Sequence, residues 1–110
     1  MPFSPRAIAT SGRLESALPW ARDRYACVIF NLHIDHVPQS IAAASLTFTR
    51  LIDYALMHGG SYYLTYHRFA RSDQLLAGHP GIEDFLAAKR RLDPEGVFQS
   101  DWYQHLVAQV

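Results

Sequence analysis

Hydrophobic positions change their spacing several times along this chain, and each change marks a new element. Between residues 26 and 34 they alternate: Val28, Phe30, Leu32 and Ile34 share one face, Cys27, Ile29, Asn31 and His33 the other. A period of two predicts a strand whose first face is core and whose second turns polar towards its end. Pro38 then suits the first turn of a helix, where its missing N–H costs nothing. Ile41, Ala44, Phe48, Leu51, Ile52 and Ala55 follow the 3.6-residue period in one apolar stripe. Gly59-Gly60 stops that helix, because glycine takes the left-handed C-terminal position without steric penalty.

Alternation returns over residues 61–70. Tyr62, Leu64 and Tyr66 fall on one face and Tyr63, Thr65, His67 and Phe69 on the opposite one. This predicts a second strand with neither face purely apolar, bordered on one side by a cleft or a partner. Ser72 can cap a short helix through Ala77, which Gly78-His79-Pro80-Gly81 breaks. A further helix is expected over 82–92, with Ile82, Phe85 and Leu86 buried and Lys89, Arg90 and Arg91 in the last turns, where the helix dipole favours cations. Pro94 and Gly96 end it, and Asp101 can cap a final helix carrying Trp102, Leu106 and Val110.

Strand, long helix, strand and then helices predict an α+β fold, a small antiparallel sheet with helices packed on one face. Two strands make a poor sheet. The expectation is therefore that the N-terminal segment adds a strand, or that another chain or domain completes the sheet. Residues 1–24, punctuated by Pro2, Pro5, Gly12 and Pro19, read as a lead-in with one or two helical turns over 12–18; residues 25–110 read as the domain.

Composition narrows the classes. Ten basic residues balance ten acidic ones, so the chain lacks the clustered positive charge of a nucleic-acid surface. One cysteine, Cys27, excludes an internal disulfide and a thiolate metal cage, and with no apolar leader or membrane-length run it points to a cytoplasmic protein without a membrane span. No phosphate-binding glycine loop, nucleophile elbow or zinc-protease motif is present. His33, Asp35 and His67 could meet if the two strands were neighbours, but their spacing is no specific metal motif; a solvated strand end is the alternative. Tyr62, Tyr63, Tyr66, His67 and Arg68 crowd polar-tipped side chains into seven positions, a composition that suits stacking on a flat or oxygen-rich ligand, or equally an aromatic face in a subunit interface.

The order Gly59-Gly60, Tyr63, Tyr66-His67-Arg68, Pro80, Phe85, Lys89-Arg90, Asp93-Pro94, Gly96-Val97-Phe98 and Ser100-Asp101 resembles the C-terminus of FAD-linked oxidoreductases of the vanillyl-alcohol oxidase type. The nearest branch is that of the sugar-lactone and alditol oxidases and decaprenylphosphoryl-ribose oxidase. The resemblance is firmest over 59–103 and extends over about 26–105. It implies a partial cap domain plus a tail, with the FAD-binding domain outside these 110 residues. It further implies oxidation of a sugar-like alcohol by hydride transfer to flavin N5. Tyr66, His67 and Arg68 would then be the catalytic group, Tyr66 or His67 handling the substrate hydroxyl and His67 or Arg68 standing in for the lysine some relatives place there. Tyr63, Phe98, Ser100 and Asp101 would lie on the cofactor side. On this reading the chain alone is not catalytic, FAD belongs to the full-length family, and the partner is an FAD-domain chain. The alternative is a non-catalytic α+β binding module that forms a homodimer through its sheet.

Overall fold

Four helices dominate the described part of the chain, which in this computed structural model comprises residues 6–7, 17–19, 23–65 and 67–110. Helix α1 (Pro38–Met57) begins without a side-chain cap: Val37 is extended and Pro38 supplies the pre-set first turn. At its other end the N–H groups of Gly59 and Gly60 donate to the carbonyls of Leu56 and Ala55, and Gly59 adopts φ +71°. The chain thus leaves the helix through the left-handed conformation that the glycine pair foretells. Ala44 and Ile52 of the expected stripe are buried, Phe48, Leu51 and Ala55 are half-buried, and Ile41 at the N-terminal end is exposed.

Helices α2 (Ser72–Gly78), α3 (Ile82–Leu92) and α4 (Asp101–Gln109) follow at the expected places. Two cap assignments shift by one residue. The hydroxyl of Ser72 donates to Gln109 Oε1 at 2.7 Å, and the start of α2 is held by Gln74, whose Oε1 accepts from the Arg71 N–H. Ser100, rather than Asp101, caps α4 by accepting from the Tyr103 N–H at 3.1 Å. Glu83 and Asp84 lie in the first turn of α3, Lys89, Arg90 and Arg91 in its last, matching the helix dipole at both ends. The core gathers where these three helices meet: Leu75, Ile82, Leu86 and Leu106 are buried together, with Leu18, Leu64, Phe85, Trp102 and Tyr103 packed around them.

The expected α+β architecture is not what the chain adopts. Among the described residues the only ladder joins β1 (Arg6–Ala7) to β2 (Ala26–Cys27), antiparallel, with Arg6 opposite Cys27 and Ala7 opposite Ala26. The N-terminal segment does contribute a strand, but one two residues long. Beyond Cys27 no ladder forms, and Val28, Ile29, Phe30 and Leu32 stay exposed. Alternation reports which side chains share a face; it carries no information about whether a neighbouring strand exists to pair with.

The second expected strand, 61–70, is also not one. Its carbonyls are taken by side chains instead of a ladder: Trp102 Nε1 donates to Leu64 O at 3.2 Å and Thr49 Oγ1 to Phe69 O at 3.1 Å. A turn at Leu64 and Thr65 breaks the run. Burial follows the alternation only over 62–65, where Tyr62 and Leu64 are half-buried and Tyr63 and Thr65 exposed; beyond the turn the pattern is lost, with Arg68 exposed and Phe69 half-buried. Tyr66 and most of 12–18, for which helical turns were expected, lie outside the described residues.

Candidate functional site

Because residues 60–71 run irregularly between α1 and α2, side-chain bonds fix their path. Tyr25 Oη donates to Gly59 O at 3.1 Å, and Ser61 Oγ donates to Gly78 O at the same distance. The segment packs closely on Gly78 of α2, where a Cβ would sit 3.1 Å from the Tyr62 ring. The Tyr62 ring meets His79 edge-on at 4.9 Å, and both side chains point inward. Among the described residues the Tyr62 hydroxyl has no hydrogen-bond partner, and burial pushes its pKa up to about 12.

His67 is the sequence-expected site residue with the most developed surroundings. Its ring lies 5.2 Å from Phe69 at only 7° and 4.6 Å from Phe48 of α1, and the two phenylalanine rings stand 5.8 Å apart. An exposed imidazole is thus shelved on two aromatic rings, one from α1 and one from the connection itself. Arg68 and Tyr63 are exposed close by in sequence. A cavity bordered by Tyr62, Leu64, His67, Trp102, His105 and Leu106 has a volume of about 10 Å³, room for one water molecule at most.

Phe98, Ser100 and Asp101 serve local geometry. Asp93 accepts from the backbone N–H of Val97 at 2.9 Å and of Phe98 at 3.0 Å, and from Lys89 Nζ. Gly96 turns through φ +66°, and Gln99 Nε2 closes the loop by donating to Gly96 O. The result pins a turn that holds Phe98 outward, 78% exposed. Lys89, first among the causes, holds the Asp93 carboxyl below the usual carboxylate range. Ser100 caps α4, and Asp101 occupies its first turn.

A polar cluster that the sequence does not disclose ties α1 to α2. Arg71 donates from Nη2 to Asp53 at 2.9 Å and from Nε to Asp73 at 2.9 Å. Buried Gln74 donates to Thr49 O at 2.8 Å and to Asp53 Oδ1 at 2.7 Å. Arg71 is the leading cause that holds both Asp53 and Asp73 below the usual carboxylate range. Asp53 and Arg71 are 18 residues apart, so no local spacing rule links them. Arg71, Asp53, Asp73 and Gln74 bond to one another and to Thr49, so the cluster acts as a clasp between α1 and the start of α2.

His33, Asp35 and His67 do not converge: among the described residues no three His, Cys, Asp or Glu side chains are placed to hold a metal. No described helix is long and apolar enough to cross a membrane. Compared with protein-family models, curated proteins and solved structures, the chain matches none.

Proposed function

We propose that this chain is a C-terminal portion of an FAD-dependent oxidoreductase acting on a sugar-like alcohol, contributing a lid to a flavin that another domain or chain holds. The observation that carries this reading is the outward presentation of the candidate residues. His67 on its aromatic shelf, Arg68, Tyr63 and Phe98 all face solvent, and the cavity that His67 borders is far too small for an isoalloxazine ring. Exposed side chains of this kind can meet a flat cofactor that is held elsewhere; the small cavity cannot enclose one. In the completed site His67 or Arg68 would supply positive charge beside the reduced flavin, Tyr66 or His67 would take the hydroxyl proton, and the flavin would supply the hydride acceptor. The expected cap sheet forms no part of the proposal.

Two measurements test it. Titrating FAD with the isolated chain should leave the flavin fluorescence unchanged, whereas tight binding would overturn the lid assignment. A partner co-purified from the source cell should carry the absorbance of oxidised flavin; a partner without flavin would overturn the flavin assignment.

A further inference from the structure

A groove between α3 and α4, remote in sequence from the His67 shelf, is bordered by Glu83, Leu86, Arg90, Val107 and Val110 and has a volume of about 200 Å³. Its floor is the buried Leu86, and Val107 and Val110 form an apolar wall that is roughly half exposed. Glu83, Leu86 and Arg90 are spaced i, i+3 and i+7, which sets them along one side of α3 about 10 Å from end to end. Read along the helix, that side is acidic, apolar, basic. Among the described residues no ion pair involves Glu83 or Arg90, although Arg71 and Lys89 are both paired.

An acidic–apolar–basic sequence has a specific symmetry. A two-fold axis beside Leu86 reverses its order, so a second α3 running antiparallel would bring Glu83 of each copy against Arg90 of the other. The same operation sets the two apolar walls face to face, Val107 and Val110 of one copy against those of the other. A parallel arrangement in register would oppose like charges, which costs binding energy, and an antiparallel one displaced along the helix would pull the opposite charges apart. We propose that the α3–α4 face is a two-fold interface whose occupant is a second copy of this chain. This does not depend on the flavin assignment and is measured without any flavin.

Sedimentation equilibrium of the purified chain tests it. The unaltered chain should show a monomer–dimer equilibrium that weakens as salt is raised. Glu83→Arg or Arg90→Glu alone should raise the dissociation constant about tenfold or more. The doubly exchanged chain, E83R with R90E, should return to the starting value, because the charges again oppose their opposites. Circular dichroism checks folding; should a single reversal unfold the chain, Val107→Asp at the exposed wall replaces it and should abolish the dimer. A chain monomeric at the highest attainable concentration, single variants that dimerise like the original, or an exchange that restores nothing would each overturn the interface.

Discussion

At the scale of single residues, one carboxylate organises the tail. Asp93 gathers Lys89 Nζ and the N–H groups of Val97 and Phe98, while Lys89 also lies 4.4 Å over the Tyr103 ring. The Asp93 carboxyl is depressed below its ordinary value of 3.8, chiefly by Lys89. A carboxylate whose folded pKa lies below its unfolded one stabilises the fold above the unfolded value, and that contribution disappears as the pH falls through the folded one. Asp93→Asn should therefore lower stability near neutral pH and flatten the loss below about pH 4, as urea unfolding from pH 7 to 3 would record. The Asp-Pro-x-Gly-x-Phe spacing was visible in the sequence, and so was the turn. That its aspartate would clamp two N–H groups and hold Phe98 in solvent was not, because the bond reaches back from residues four and five positions on and requires the Gly96 turn to form first.

Elements differ in how much of their shape is local. Helix ends were legible because caps and glycines act within a turn. Gly59 and Gly60 stand side by side and do different things. At Gly59 a Cβ would meet nothing within 4 Å, so only its φ of +71° resists substitution; at Gly60 a Cβ would lie 2.9 Å from the Ala55 carbonyl oxygen. Gly59→Ala should cost about 1 kcal/mol, with Gly59→Asn recovering part of it because asparagine tolerates the left-handed region. Gly60→Ala should cost about 1–3 kcal/mol through the clash with backbone, and asparagine there should recover nothing. Denaturant unfolding of the four variants separates the two causes. The strands expected at 26–34 and 61–70 failed for the opposite reason: a strand is completed by a partner, and Trp102, Thr49 and Ser61 satisfy the 59–78 path by bonds that no alternation pattern encodes.

For the whole molecule the decisive fact is where the apolar residues are covered. Among the described residues Leu75, Ile82, Leu86 and Leu106 make a small core, while large apolar side chains stay exposed along the chain, from Val28, Ile29, Leu46 and Met57 to Leu92, Val97 and Phe98. A domain with so few buried leucines has little stability to spare. Leu86→Ala should cost about 3 kcal/mol, enough to lower the melting temperature by ten degrees or so in a chain of this size, and calorimetry would show it. By itself the sequence determined the positions of the four helices in the described part and the glycine stop at Gly59-Gly60, since each depends on residues within a turn or two. Only the tertiary structure decided that no extended sheet forms among the described residues, that His67 rests on Phe48 and Phe69, and that Arg71 clasps Asp53. Those outcomes join residues far apart in the chain, and side-chain burial and hydrogen bonding across such distances are set by packing, which spacing along the sequence does not record.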